Sequence, residues 1–122
     1  MDVKAGKERR ESSRFDGNIP LKICEEHGDI VTETQNVSRS GAYCQVNRYL
    51  EPMTKMKICL MLPMRNNGRN SSKKVSCEGV VIRTEEIPES NQYNVAIFFN
   101  NISQKNINTL SDYVAQNLGK MS

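Results

Sequence analysis

The sequence predicts a mainly β domain: six antiparallel strands in a barrel or sandwich, one C-terminal amphipathic helix, and a polar arm in front. Three observations carry this. Apolar residues alternate with period two in short runs, and no helical pattern lies between those runs. Past residue 102 the period changes to that of a helix. Residues 1–14 show neither period.

In "IPLKICEE" (19–26), Ile19, Leu21 and Ile23 alternate with Pro20, Lys22 and Cys24, which predicts a strand with Pro20 at an edge or entry position. "EEHGD" is a turn in which Gly28 can take a positive φ. "IVTETQ" (30–35) is the second strand of that hairpin. "AYCQV" follows the small polar "NVSRSG" as a third strand. "KMKICLMLP" (55–63) is a fourth, closed by Pro63, and "KVSCEGVVIRTEE" (74–86) a long fifth. "YNVAIFF" (93–99) is a sixth, with Phe98 and Phe99 read as core residues, and "IPESNQ" turns into it. Ile107, Leu110, Val114 and Leu118 then share one helical face over about 103–118, with Ser103 as N-cap and Gly119 near the C-terminus.

A chain of 122 residues predicts one domain, with 1–14 as a flexible basic arm and 15–122 as the folded unit. Hydrophobic residues make up 37% and charged residues 25%, so a core can form without disulfide or metal. No apolar run reaches the ~20 residues of a membrane span, and the charged N-terminus does not resemble a signal peptide. The cytoplasm is the expected location. Cys24, Cys44, Cys59 and Cys77 are widely spaced and His27 is the only histidine, which disfavours zinc and predicts buried thiols in a reducing compartment.

The net charge of +3 is unevenly spread. Residues 1–14 carry +2, and "MRNNGRNSSKK" (64–74) carries +4, leaving −3 elsewhere. This distribution suggests a local anion site rather than a wholly basic nucleic-acid binder. The 64–74 run reads as a solvated linker between strands. With no Trp, and with Phe98 and Phe99 assigned to the core, base stacking by single-stranded nucleic acid lacks a platform. Catalysis is also disfavoured: His27 sits in a tight turn, and no Gly-rich nucleotide loop is present.

Two polar segments remain that a core does not explain. One is Arg10-x-x-x-Arg14, preceded by Arg9; the other is Asn36-x-Ser38-x-x-Gly41. Guanidinium groups grip phosphate bidentately, stack on flat bases and donate twice to the O6/N7 edge of guanine. The second segment offers an amide, a hydroxyl, and a glycine that lets a ligand approach the backbone.

"RESSR" followed by "NVSRSG" resembles the PilZ domain signature, R-x-x-x-R and then [D/N]-x-S-x-x-G. The resemblance extends to "CEGVVIR", "YNVAIFF" and the final helix, and so covers nearly the whole chain. It implies a six-stranded β-barrel with a C-terminal helix. It implies a non-enzymatic receptor for cyclic di-GMP, without a further cofactor, that signals to a protein partner controlling motility, pili or exopolysaccharide. Arg10 and Arg14 are then the clamp, and Asn36, Ser38 and Gly41 the floor. Arg83 matches a place where the family often carries a side chain that stacks on guanine. An arginine at the position of Arg9 tends in the family to accompany a stacked pair of ligands. Two other readings stand beside it: a small barrel that binds single-stranded nucleic acid, and a PilZ-like module that binds only protein.

Overall fold

The computed structural model describes residues 16–66 and 68–120, with backbone alone at 65, 66 and 118–120. Arg9, Arg10 and Arg14 lie outside the described residues, as does the side chain of Leu118. Six strands and one helix follow in order: β1 Pro20–Cys24, β2 Ile30–Val37, β3 Gly41–Val46, β4 Lys55–Asn66, β5 Arg69–Ile87, β6 Gln92–Asn101 and α1 Gln104–Lys120.

Each strand pairs antiparallel with two others, in the circular order β1-β2-β3-β6-β5-β4, so the sheet closes into a barrel. Closure removes the free edges that an open sheet presents. β1 is therefore not an edge strand. Pro20 is tolerated because it is the first residue of β1, and pairing with β4 begins only at Leu21. The β1–β2 turn follows from Gly28, whose φ is 118° and whose N–H reaches the Glu25 carbonyl at 3.1 Å. His27 in that turn is exposed.

The inward residues of the alternating runs meet in one core. Leu21, Ile23, Ile58, Leu60, Val75, Val81, Val95 and Ile97 are all buried there. Leu110, Tyr113 and Val114 of α1 belong to the same cluster. Each such burial contributes about 1.5–3 kcal/mol, which a helix of this length needs because it is marginal alone in water. Ser103 caps it: its hydroxyl accepts the Asn106 N–H at 3.2 Å. Tyr113 joins the buried face predicted for Leu110 and Val114, whereas Ile107 is only half-buried. The helix continues through Gly119 to Lys120.

The 64–74 segment departs from expectation. It is not a linker: β4 runs through Pro63 to Asn66, turns at Gly68 (φ 77°), and returns as β5 from Arg69. Pairing continues from Met61–Lys74 to Asn66–Arg69, while β1 reaches only Leu60 and β6 only Glu78. The hairpin thus extends past the barrel as a two-stranded ribbon. Pro63 fits because β4 has one neighbour there and so needs fewer backbone donors. Leu62 and Met64 are buried in the common core cluster and hold the ribbon against the domain.

Three of the four thiols, Cys44, Cys59 and Cys77, are buried, and Cys24 is half-buried; all are free. Burial pushes Cys44 up to about 12, and burial with the neighbouring Cys59 does the same to Cys77. No helix among the described residues is long and apolar enough to cross a membrane.

Candidate functional site

Strand register places Asn36 opposite Tyr43, Tyr43 opposite Ala96, and Ala96 opposite Arg83. These four residues form a row across β2, β3, β6 and β5 on the outer face of the barrel. A hollow of about 450 Å³ lies over the row, and Ser40, Gly41, Ile82 and Phe98 also line it.

Two β-bulges make this surface. In β2 the register shifts between Thr34 and Asn36, leaving Gln35 as the extra residue. In strict alternation Asn36 would share the inward face of Thr34, which is wholly buried. The bulge reverses the parity, so Asn36 faces the hollow while Val37 turns inward. In β5 the register shifts between Val81 and Arg83, and both Ile82 and Arg83 reach the outer face. The backbone of Val81 is satisfied from the loop before β4: its N–H reaches the Thr54 carbonyl at 3.0 Å, and its carbonyl accepts the Met53 N–H at 2.7 Å.

The start of the described chain is pinned beside the same strand. Thr34 Oγ1 donates to the Gly17 carbonyl at 2.7 Å and accepts the Ile19 N–H at 3.1 Å. The Thr34 N–H in turn reaches the Ile19 carbonyl at 2.9 Å. A buried hydroxyl that satisfies two backbone groups leaves the chain little freedom to leave β2 there.

The predicted floor residues take different positions. Asn36, Gly41 and Arg83 line the hollow together. Ser38 does not: it is wholly buried, with its hydroxyl 3.0 Å from Ser40 Oγ and accepting the Ser40 N–H at 3.1 Å. Its N–H closes the β2–β3 turn on the Gly41 carbonyl at 2.9 Å. Ser38 therefore shapes the turn, and Ser40 is the residue that reaches the lining. The reason for glycine at 41 also changes. A methyl group there would collide with the Ile97 carbonyl oxygen, so Gly41 is required by the close approach of β6 to β3. Arg83 Nε lies 3.5 Å from Glu85 Oε2, with both side chains more than half exposed, an ion pair too solvated to hold the arginine in place.

Phe98 corrects the sequence reading. Val95, Ile97 and Phe99 face the core, so the alternation of β6 turns Phe98 outward, where it is 47% exposed. Ile82, 53% exposed, lines the same hollow. Strict period two over residues 95–99 contained this signal, but the unbroken apolar run hid it. Ser40 and Tyr43, in a polar turn and a strand, carry no sequence mark of the lining either. The Ile82 bulge has no mark in sequence.

The hollow thus combines an amide, a hydroxyl and a guanidinium with an aromatic face and an aliphatic wall. That suits a flat, polar-edged ring: one face stacks on carbon and the edge finds donors and acceptors. A larger hollow of about 570 Å³ lies around Thr32, Gln45 and Arg48. Its guanidinium is already committed, to the Gly28 carbonyl at 2.6 Å and to Glu25 at 3.7 Å, so it offers an anion less. No cluster of metal-ligating side chains occurs among the described residues.

Comparison with solved structures gives the same fold. The structure of the Bacillus subtilis inhibitor of motility (MotI/DgrA) superposes with a TM-score of 0.79 at 20% identity, covering 93% of this chain and 53% of that one. The chain thus spans about half the length of that protein. The PilZ domain with c-di-GMP of YcgR from Escherichia coli superposes with a TM-score of 0.64 at 12% identity, covering 93% of this chain and 96% of that one. No curated protein matches the sequence. The family model of the PilZ domain matches residues 8–116, a span that takes in both arginine and Asn-x-Ser segments, and the chain belongs to the PilZ domain family.

Proposed function

We propose that this protein is a receptor for cyclic di-GMP that acts in the cytoplasm without catalysis and passes the signal to a protein partner, as a regulator of motility or of another surface process. The observation that carries the reading is that the chain following the arginine segment is tied to the same strand, β2, that presents Asn36 to the hollow. Asn36 is turned into the hollow by its bulge, and the chain leading from Arg9, Arg10 and Arg14 is anchored at Gly17 on Thr34, two residues from Asn36. Arg14 is three residues from Gly17, and three residues of chain span at most about 11 Å.

The chemistry is complementary. Cyclic di-GMP carries two phosphates and two guanines. Arginines from the arm grip phosphate, Asn36 meets a guanine edge, and Phe98 with Ile82 offers the apolar surface on which a base can rest. Asn36 stands where many members of the family carry Asp. An amide has one acceptor oxygen where a carboxylate has two, which favours a weaker site. The YcgR domain, whose structure contains c-di-GMP, and the motility inhibitor MotI support the direction of the reading through shared fold.

Exposed Phe98 reopens the reading as a binder of single-stranded nucleic acid, since it supplies a stacking face. The charge is badly placed for that function. Lys74 and Ile82 are eight residue steps apart along β5, on the order of 26 Å of strand, so the ribbon and the hollow do not form one basic track.

Calorimetric titration with cyclic di-GMP decides between them. Heat is expected from the native protein, with Arg10→Ala or Arg14→Ala each weakening binding by roughly 1.5–3 kcal/mol. Absence of heat from a folded sample, together with salt-sensitive binding of an oligonucleotide, would establish the second reading.

A further inference from the structure

We infer that the β4–β5 ribbon is the docking site of an extended acidic segment of a protein partner, which adds as a strand to the open edge of β5 at Arg69–Lys74. The inference rests on the adaptor half of the proposed function, since it names the chemistry of the partner, but it does not depend on ligand binding in the Asn36 hollow.

Each strand of this barrel has two neighbours over part of its length, and single-neighbour stretches lie at strand ends, Arg83–Ile87 of β5 among them. In the ribbon, β5 pairs only with β4 from Arg69 to Lys74, and its pairing with β6 begins at Glu78. Backbone groups on the far side of these residues therefore point away from the sheet, a template for another strand. All six residues of the stretch are exposed. The edge has a defined inner limit: the Asn106 side-chain amide donates to the Ser76 carbonyl at 2.9 Å, closing β5 on the helix side before Glu78.

The ribbon is also rigid enough to present that edge. Leu62 and Met64 on β4 are buried in the same cluster as Leu110, Tyr113 and Val114, so one face of the ribbon is fixed to the domain. An ordered edge loses less entropy on pairing than a free loop.

Charge selects the occupant. Arg69, Lys73 and Lys74 form no ion pair with a described residue, and the 64–74 run contains no acidic residue. Cross-strand register puts Arg69 and Lys73 on the face of Leu62 and Met64, and Lys74 on the face of Met61, so the edge is flanked by positive charge on both faces. Lysine on an edge discourages uncharged strands and self-pairing, because two copies would bring like charges together. A strand with acidic side chains meets the opposite condition on both faces. Residues 61–74 contain no aromatic residue to stack a base, and Met61 is the one large apolar side chain exposed on the ribbon among the described residues, too little to insert into a lipid surface.

The test uses the full chain and a fluorescein-labelled peptide of strand length in which Glu-Glu and Val-Val pairs alternate, so that Glu falls on both faces of the strand. Its controls are the same peptide with Lys for Glu, an oligothymidylate, and phosphatidylglycerol vesicles. The Glu peptide should bind by anisotropy, the Lys peptide should not, and amide exchange at Arg69–Lys74 should slow on binding. Lys73→Glu with Lys74→Glu, both exposed and harmless to the core, should weaken binding roughly tenfold or more. Failure of the Glu peptide to bind, binding without slower exchange in β5, or equal affinity for the oligonucleotide or vesicles would each overturn the inference. Any of these results leaves calorimetry with cyclic di-GMP, and so the receptor reading, untouched.

Discussion

Thr34 Oγ1 and the Gly17 carbonyl are 2.7 Å apart, and this contact ties the chain that follows the arginine segment to the strand that presents Asn36. The same hydroxyl accepts the Ile19 N–H at 3.1 Å, and Thr34 is wholly buried. Thr34→Val keeps the volume and removes both partners. Two backbone groups lose their hydrogen bonds, at roughly 1–3 kcal/mol for each one left unsatisfied. Urea denaturation should show that loss in the midpoint with little change in slope. On the receptor reading, cyclic di-GMP affinity should also fall, because the chain that leads to the arm loses its tie to β2; an unchanged affinity would show that the anchor serves stability alone.

Gly41→Ala tests whether the glycine of the second motif serves the sheet or the ligand. Its methyl group meets backbone rather than a movable side chain, so β3 and β6 must separate. A loss of stability of about 1–3 kcal/mol is expected without ligand present. Thermal unfolding of the free protein measures it; a variant of native stability that fails to bind would return the glycine to ligand contact.

Arg9 is predicted to set ligand count. Two stacked molecules of cyclic di-GMP gather four negative charges in a small volume, and a third guanidinium offsets their repulsion and caps the stack. About two ligands per chain are expected by that charge balance, and Arg9→Leu should move the count toward one while the first site survives. Titration at protein concentrations well above the dissociation constant reads the count. A one-to-one endpoint in both proteins would show that Arg9 has no such role.

The buried thiols predict an alkaline limit. Burial raises Cys44 and Cys77 from 9.0 to about 12, so the folded state holds protons that the unfolded chain releases. Stability from this source is complete below pH 9 and declines as pH rises toward 12, by about 1.4 kcal/mol per pH unit for each thiol. Denaturation at pH 8 and pH 10 should show the decline, and Cys44→Ala with Cys77→Ala should flatten it. At pH 8 these two thiols should react with a thiol reagent only on unfolding, after Cys24.

How far the sequence reaches is visible in single strands. Local alternation was enough to locate β1, β2 and β3, because one face of each meets the core and the other meets water. It was not enough for the 64–74 run, whose polar composition resembles a linker. Leu62 and Met64 are buried in a core cluster that also takes in Leu110, Tyr113 and Val114, residues distant in the chain. The unbroken apolar run around Phe98 likewise hid which side chain faced out, since alternation gives direction only when polar residues mark one face.

The sequence by itself determined the residue types of the proposed site: guanidinium groups in the arm, and the amide, hydroxyl and glycine of Asn36, Ser38 and Gly41. Tertiary structure decided which of them share a surface. The extra residue at Gln35 turns Asn36 outward, the turn buries Ser38 and brings Ser40 to the lining, and the bulge at Ile82 carries Arg83 to the row. A bulge reverses side-chain parity for every residue beyond it, and it arises from pairing with a neighbouring strand rather than from the residues that it moves.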